Sequence, residues 1–221
     1  MSKEIINTGI LAALFLLLFM ISEFLYHKLK VKADLTRKIV HIGTGIITLL
    51  FPVMLANHWL VLILCAGFAL ILILSLKFNF LKSINSINRI SYGSILYPIA
   101  VYGCYLAYNY FGKELVFFYL PVLTLAICDP VAAFIGKRFP YGIIQIGKDR
   151  KTVAGFLAFF ISSVAITLFL YYFLSPQYFN NILFIAFLIA VSSAITELFS
   201  VKGIDNITIP ASVLLVLTLC R

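Results

Sequence analysis

The 221-residue chain is 63% hydrophobic and only 11% charged, and it has a formal net charge of +9. Too few polar residues are present to cover the surface of a water-soluble domain of this length. The composition therefore excludes a soluble basic domain for binding nucleic acid, and it indicates an integral membrane protein.

Apolar runs recur along the chain at about the 20 residues that a helix needs to cross the hydrocarbon layer. Lipid offers the backbone no hydrogen-bond partners, so each run is predicted to be helical. The pattern predicts an all-α polytopic transmembrane bundle in a single membrane domain, residues 1–221. Eight spans are expected, or seven if one short run does not cross: 7–26, 41–56, 59–76, 93–111, 115–135, 153–174, 181–198 and 207–220.

Basic residues are distributed unequally between the two sides of this predicted bundle. Loops 27–40, 77–92, 136–152 and 199–206 hold 14 of the 17 lysines and arginines. By the positive-inside rule, this side is predicted to face the cytoplasm. We therefore expect a multi-pass protein of a bacterial cytoplasmic membrane, with any site for an aqueous substrate on the cytoplasmic face.

The first basic loop leads into the sequence Arg37-Lys38-Ile-Val-His41-Ile-Gly-Thr-Gly45. His41 lies one helical turn after Arg37, so the two side chains share a face. Histidine is uncommon at the start of an apolar span, where it can transfer a proton or bind phosphate. An interfacial histidine without a chemical role is the alternative.

Loop 77–92 has apolar residues at three-residue steps, beginning with Phe78, Leu81 and Ile84. This spacing favours a short helix that lies in the membrane interface. A plain connector fits the sequence equally well.

Four acidic residues lie at the basic ends of predicted spans: Glu23, Asp129, Glu197 and Asp205. A carboxylate costs about 2.5–3.5 kcal/mol at the centre of a membrane helix. Each of the four alone is explained by an interfacial charge that reaches water. Their position at one level of the membrane indicates a shared polar site.

Asp129 begins the sequence Asp129-Pro130-Val-Ala132-Ala133-Phe-Ile-Gly136. Because Pro130 disfavours helical geometry at the preceding residue, a helix break beside a polar cavity is predicted here. The small residues that follow favour close helix packing. Asp129 is predicted to bind a hard cation such as Mg²⁺, with a capping role at a kink as the alternative.

The following loop combines glycines with the cations Lys148, Arg150 and Lys151. Thr152 is predicted to cap the next helix, whose N-terminus adds positive potential for phosphate. The complete P-loop motif is absent. Membrane topology alone also places cations in this loop, so the cluster by itself is weak evidence for a phosphate site.

Asp205 and Asn206 open the last predicted span, shortly after Glu197 closes the one before it. Asp and Asn are common helix caps, so a purely structural role at the start of the span is one interpretation. The functional interpretation is a second source of Mg²⁺ ligands.

Four motifs follow one another over residues 35–212: Arg37-Lys38-x-x-His41-x-x-x-Gly45, Asp129-Pro130-x-Ala132-x-x-x-Gly136, Lys151-Thr152-x-x-Gly155 and Asp205-Asn206-x-x-x-Pro210. Their order resembles that of the CTP-dependent lipid-alcohol kinases, which include dolichol, phytol and farnesol kinases and the CTP-dependent diacylglycerol kinase. Cys128 stands where that family usually has glycine.

The resemblance implies a membrane kinase that transfers the terminal phosphate of CTP to the hydroxyl of a polyprenol, phytol-like isoprenoid or diacylglycerol. It implies catalytic roles for Asp129, His41 and Lys151, and Mg²⁺ ligation by Asp129, Asp205 and Glu197. It also implies a nucleotide site formed by Arg37, Lys38, Gly136, Lys148, Arg150, Thr152, Gly155 and Asn206. The oligomeric state stays open.

Two other functions fit parts of the sequence. A cytidylyltransferase acting on a lipid phosphate shares the membrane scaffold, but its long C-terminal signature with paired aspartates is missing. A small-solute transporter would need ionisable residues along a path between both faces, and the opposite halves of the predicted spans have no acidic residues.

Overall fold

The computed structural model describes residues 2–78, 80–86, 91–147, 149–174 and 181–221. In these ranges the chain is a helix bundle with one β-hairpin. Its elements in chain order are α1 (Ser2–His27), α2 (Ala33–Thr48), α3 (Phe51–Met54), α4 (His58–Phe78), α5 (Lys82–Asn85), α6 (Gly93–Tyr110), α7 (Val116–Leu123), a π-helical turn (Thr124–Cys128), α8 (Asp129–Arg138), β1 (Ile143–Ile146), β2 (Asp149–Thr152), α9 (Val153–Leu174), α10 (Ile182–Phe199) and α11 (Asp205–Leu219).

The predicted all-α polytopic bundle is confirmed, and each predicted span coincides with helix. In the described part of the chain, six segments are long and apolar enough to cross a membrane: Lys3–His27, Ala33–Met54, His58–Phe78, Val116–Arg138, Val153–Leu174 and Ile182–Phe199. Helix α11 is apolar but shorter. Helix α6 is interspersed with tyrosines, which lower its hydropathy.

Helix α7, the π-helical turn and α8 form one continuous segment at the centre of the bundle. Phe117, Phe118, Leu120 and Leu125 on this segment are almost fully buried, and α2, α6, α9 and α11 pack around it. Burial on most sides explains why α7 and the π-helical turn are apolar around their circumference. Asp129 is therefore held on the most enclosed segment of the bundle.

The predicted helix break at Asp129 is wrong. Asp129 has helical dihedral angles, φ −63° and ψ −50°, and Pro130 occupies the first turn of α8. The π-helical turn directly before Asp129 shifts the hydrogen-bond register by one residue, so the chain accommodates a proline without a break.

Strands β1 and β2 form an antiparallel hairpin in which Ile143 pairs with Thr152 and Ile146 with Asp149. Gly142 and Gly147 adopt positive φ angles of 64° and 58°, which glycine tolerates best. The sequence analysis expected an irregular glycine-rich loop here. The hairpin instead fixes the basic residues of β2 against the start of α9.

Helix α5 is a single turn packed inside the protein. Ile84 is 4% exposed and lies with Phe19, Val40 and Leu72 in one apolar cluster, while the Thr36 hydroxyl donates to the Ser83 carbonyl over 2.6 Å. Residues 82–85 therefore form one turn of the predicted short helix, and its place in the membrane interface stays a prediction. Residues 87–90, which carry the rest of that pattern, lie outside the described residues.

One end of the bundle, which we call the charged end, is where eight of the helices begin or end. Four helices begin there, α2, α6, α9 and α11, and four end there, α1, α4, α8 and α10. Asp34 at the start of α2 accepts from Lys137 at the end of α8 over 2.7 Å. The Tyr92 amide donates to the Lys202 carbonyl over 2.8 Å, which ties α6 to the turn before α11. These contacts bring distant parts of the sequence together around one site.

Candidate active site

A cavity of about 850 Å³ opens at the charged end and continues between the helices. Its polar part is formed by α2, α8, the hairpin and the junction of α10 with α11. Every predicted site residue in the described part of the chain lines it: Arg37, Lys38, His41, Asp129, Gly136, Arg150, Lys151, Thr152, Gly155, Glu197, Asp205 and Asn206. Lys148 lies outside the described residues.

Helix α2 presents Arg37, Lys38 and His41 to the cavity. The basic pair lies nearer the charged end, and His41 lies one turn deeper. The ring of Tyr97 contacts the His41 ring with centroids 4.8 Å apart, and its hydroxyl donates to the His41 carbonyl over 3.3 Å. This packing fixes the orientation of the imidazole at the level of Asp129.

The His41 Nε2 atom lies 3.1 Å from the Leu125 carbonyl oxygen and 4.0 Å from Asp129 Oδ2. Because a carbonyl oxygen can only accept, Nε2 carries the proton in this arrangement. The ring nitrogen that remains as an acceptor is Nδ1. His41 thus connects α2 to the π-helical turn that precedes Asp129.

Asp129 and Asp205 approach the cavity from different helices, and their carboxylates repel one another. Asp205 Oδ1 accepts from the Asn206 amide over 3.0 Å, and Asn206 Nδ2 donates to the Gly203 carbonyl over 3.2 Å. Asn206 Oδ1 is buried and has no hydrogen-bond partner among the described residues. Among the described residues, Asn206 Oδ1 is therefore a buried acceptor on this cavity that still lacks a donor.

These oxygen donors would hold a magnesium ion only with further ligands from outside the protein. No group of three or more His, Cys, Asp or Glu side chains in the described ranges is arranged to hold a metal by itself. Mg²⁺ usually keeps waters and substrate phosphates as ligands and needs only one or two carboxylates. Asp129 and Asp205 could supply these, and Asn206, whose buried Oδ1 has no partner among the described residues, lines the same cavity.

Lys151 pairs with Glu197 in this structure. The Lys151 ammonium contacts the Glu197 carboxylate and also donates to its backbone carbonyl over 3.0 Å. Burial alone would lower the pKa of Lys151, but Glu197, Asp205 and Asp129 outweigh it and raise that pKa above its ordinary value. Lys151 is therefore a permanent cation, and one of its three donor hydrogens is not used by Glu197.

Thr152 caps α9 as predicted, since its hydroxyl accepts from the Gly155 amide over 3.0 Å. A Cβ atom at Gly136 would lie 2.7 Å from the Thr152 hydroxyl, and one at Gly155 would lie 3.0 Å from the Ala132 carbonyl. The glycines therefore allow α8 and α9 to approach closely, as the small-residue pattern predicted. This contact places the cap beside the end of the hairpin.

Glu23 does not contribute to the site. Its carboxylate accepts from the Ser83 amide over 2.8 Å and pairs with His27 over 3.0 Å. It connects α1 to α5 and does not line the cavity. The sequence analysis grouped Glu23 with the other three acids because all four lie at the same end of the bundle.

The start of α6 lines the site through Ser91, Gly93 and Ser94, which the sequence analysis did not select. Gly203, at φ +87°, packs directly against Gly93, where a side chain on either residue would collide with its neighbour. The sequence feature that could have identified Ser91, Gly93 and Ser94 is a run of small and polar residues at the basic end of an otherwise apolar span. The Asp34–Lys137 ion pair had no sequence signal, because its partners are far apart in the chain.

The fold and the site define a polytopic membrane protein whose polar, charged cavity continues into an apolar interior. Such a cavity suits an amphipathic ligand together with a phosphate-bearing partner. No family model matches the chain, and no solved structure matches it.

A phytol kinase from Synechocystis sp. is 32% identical to the chain over 204 residues, which cover 90% of this chain and 85% of the relative. The aligned region includes most of the helices and the charged end. The chain therefore belongs to the family of CTP-dependent lipid-alcohol kinases, as the order of its motifs indicates.

Proposed function

We propose that the protein transfers the terminal phosphate of CTP to the hydroxyl of an isoprenoid lipid alcohol. The observation that carries the proposal is the meeting of five acidic and seven basic side chains of the described residues on one cavity at the charged end, in a relative of phytol kinase. Phosphoryl transfer asks a protein mainly to position two substrates and to neutralise charge, and this residue set can do both.

In this proposal the alcohol oxygen bonds to the γ-phosphorus, the bond from that phosphorus to the β–γ bridging oxygen breaks, and CDP leaves. The hydroxyl proton passes to Nδ1 of His41, because Nε2 is engaged by the Leu125 carbonyl. His41 thus orients the hydroxyl beside Asp129.

Arg37 and Lys38 bind the nucleotide phosphates from α2, and Lys151 binds them from the hairpin with its remaining donor hydrogen. Lys148 and Arg150 belong to the same basic hairpin, and Thr152, Gly136 and Gly155 form the close contact beneath it. Glu197 keeps Lys151 charged and oriented. Asp129 and Asp205, with Asn206 lining the same cavity, would hold Mg²⁺, and the ion would supply positive charge opposite the transferred phosphoryl group.

The charged end faces the cytoplasm in this proposal, where nucleotides are available. The excess of lysine and arginine on this side supports that orientation. The lipid hydroxyl lies at the headgroup level, so both substrates reach a cavity at the ends of the helices.

The test uses purified protein in proteoliposomes with Mg²⁺, γ-labelled CTP and phytol. We expect labelled phytyl phosphate and CDP, while ATP should give much less product. Release of pyrophosphate with transfer of a CMP group would identify a cytidylyltransferase. Nucleotide-independent solute uptake without lipid phosphorylation would identify a transporter.

Asp129→Asn should lower kcat by about 10²–10³-fold, the effect of removing one key electrostatic group from an active site. Its thermal midpoint should stay near that of the unchanged protein. Glu114→Gln is the matched control, because Glu114 pairs with Arg221 outside the cavity, over 3.6 Å. Near-normal activity of Asp129→Asn would remove Asp129 from the mechanism.

A further inference from the structure

A short segment that connects α8 to the hairpin exposes large side chains. Phe139 is 56% exposed, Tyr141 78% and Ile143 62%. Ile143 borders the cavity, but Phe139 and Tyr141 are not among the described residues that line it. A group of exposed apolar side chains outside the site is unusual on a surface that faces water, and it indicates a contact with another molecule. We call residues 139–143 the aromatic segment.

The aromatic segment lies at the level where α9 begins. The Val153 amide donates to the Gly142 carbonyl over 2.9 Å, and the Ala154 amide donates to the Tyr141 carbonyl over 3.4 Å. Val153 is the first residue of an apolar helix that is long enough to cross a membrane, and Arg138 is the last residue of another. The segment is therefore held between the ends of two spans, at the edge of the hydrocarbon layer.

A cation stands directly before these aromatic side chains. Arg138 is exposed at the end of α8, and its guanidinium lies 5.9 Å from the centre of the Phe139 ring. Phe134, one turn earlier on the same face of α8, is 61% exposed. An apolar helix face that ends in arginine and then in aromatic residues is typical of the place where a helix leaves the bilayer, because arginine extends to the headgroups and tyrosine occupies the interface.

Charge favours lipid over a second copy of the chain as the partner of this surface. The loops at the charged end hold 14 of the 17 lysines and arginines, so two copies side by side would bring like charges together. Anionic headgroups are attracted to the same residues. We propose that Arg138 and the aromatic segment form a binding surface for the headgroups of anionic phospholipids. Arg138 contacts the lipid phosphate, while the rings of Phe139 and Tyr141 lie in the interface beside it.

This surface is independent of the proposed reaction, but it fixes the level of the hairpin. Ile143 at the end of the aromatic segment pairs with Thr152 in the hairpin, and Ile144 pairs with Lys151. The segment and β2 therefore belong to one hydrogen-bonded unit. Contact with headgroups on one side of this unit holds the basic residues of β2 at the headgroup level.

Tryptophan fluorescence tests the depth of the aromatic segment. The chain has a single tryptophan, Trp59, which Trp59→Phe removes. Tyr141→Trp and, separately, Phe139→Trp are made in this background, and each protein is placed in nanodiscs of phosphatidylcholine with an equal amount of phosphatidylglycerol, one chain per disc.

Lipids brominated near the headgroup end of their acyl chains should quench both fluorophores at least twofold. Acrylamide in the water should quench them at least twofold less than it quenches free tryptophan amide. Full quenching by acrylamide without quenching by the brominated lipid would place the segment in water and overturn the proposal. Protection from both quenchers would mean that protein covers the segment, which would overturn it as well.

Energy transfer tests the preference for anionic lipid. In the Trp59→Phe/Tyr141→Trp protein, phosphatidylglycerol with a dansyl headgroup label should accept at least twofold more energy than phosphatidylcholine with the same label at the same mole fraction. Adding Arg138→Gln should make the two lipids equal. Lys28→Gln is the matched control, because it removes one exposed positive charge from the charged end in the turn between α1 and α2. It should keep the preference.

Two results would contradict a headgroup contact at Arg138. Equal transfer to both lipids before Arg138 is changed would mean that the surface does not select anionic lipid. An equal loss of preference in Lys28→Gln would mean that the total charge of this end attracts the lipid and that Arg138 has no contact of its own.

Discussion

His41 contacts a backbone carbonyl that its own helix leaves without a donor. In a π-helical turn, the carbonyl of one residue accepts from the amide five residues later. For Leu125 that later residue is Pro130, which has no N–H. His41 Nε2 lies 3.1 Å from the Leu125 oxygen and supplies the missing donor. The imidazole therefore has a structural contact through Nε2, and Nδ1 is left to accept the hydroxyl proton in the proposed reaction.

Two substitutions at His41 separate these contacts. His41→Gln keeps an amide donor for Leu125 but removes the titratable nitrogen, so it should keep its thermal midpoint and lose about 10²-fold in kcat. His41→Leu should also lose about 1–3 kcal/mol of stability, because a buried carbonyl is left without a partner. The measurements are the pH profile of kcat and the thermal midpoint in detergent.

The pH profile decides the outcome for His41. The unchanged protein should lose activity as pH falls and His41 Nδ1 becomes protonated, and His41→Gln should lack this limb. If His41→Gln keeps full activity and the same pH profile of kcat, His41 has no role in proton transfer and serves only as the hydrogen-bond partner of Leu125.

At the level of single residues, the sequence identified the members of the site better than their partners. Asp129 and Asp205 stood out because charge is rare in apolar helices, Lys151 stood out only as part of a basic loop with glycines, and all three line one cavity. The Lys151–Glu197 contact was not predicted, because those residues are 46 positions apart. Composition and order along the chain carry no information about which distant side chains meet.

At the level of elements, α2 and the π-helical turn approach one another through Gly45. A Cβ atom added at Gly45 would collide with the Ala126 Cβ atom, and it would lie 3.0 Å from the Tyr97 hydroxyl. Gly45 follows His41 by one turn, and Ala126 precedes Asp129 by three residues. The distance between His41 and Asp129 therefore depends on the absence of a methyl group at Gly45.

Gly45→Ala should destabilise the protein by about 1–3 kcal/mol, as overpacking of a dense core usually does. It should also lower kcat, because separation of the two elements moves His41 away from Asp129. Thermal midpoint and phosphorylation of phytol are the two measurements. Gly67→Ala is the control, since nothing lies within 4 Å of a Cβ atom there.

The double variant Gly45→Ala/Ala126→Gly removes the methyl group that collides. It should recover a large part of both the midpoint and the activity, while Ala126→Gly alone should be mildly destabilised. Failure of the pair to recover would mean that the Gly45 contact with Ala126 does not hold these elements together.

The helices were predictable from the sequence, and the shorter elements were not. Apolar runs define spans such as 153–174, which α9 matches at both ends, because lipid burial determines both composition and length. The hairpin of residues 143–152 was missed because each strand has only four residues and its basic content indicated a loop. The π-helical turn was missed because Pro130 is as compatible with a break as with a shifted register.

At the level of the whole molecule, the bundle separates two environments along one cavity. Charged residues gather where the helices end, and aromatic residues line the apolar part of the same cavity. In the proposed reaction, this arrangement holds a hydroxyl near phosphate while its hydrocarbon chain stays out of water. The hydrophobic effect thus favours one orientation of the ligand before any specific contact is made.

The proposed reaction also requires the charged end to face the compartment that contains nucleotides. Lys28, at the charged end, and Lys113, at the opposite end, are both exposed. Cysteines placed at these positions report sidedness to a maleimide that does not cross membranes. Cys65, Cys104 and Cys128 are buried, so only Cys220 is replaced by serine in the parent protein.

Lys113→Cys should react with the reagent on intact cells, and Lys28→Cys should react only after the cells are opened or in inside-out vesicles. The physical reason is the excess of lysine and arginine around Lys28, which resists transfer across the membrane during insertion. Each variant is the control for the other, because the reagent would label both of them if the cells were permeable. Labelling of Lys28→Cys alone on intact cells would reverse the orientation and place the cavity away from cytoplasmic CTP, which a kinase of this kind could not use.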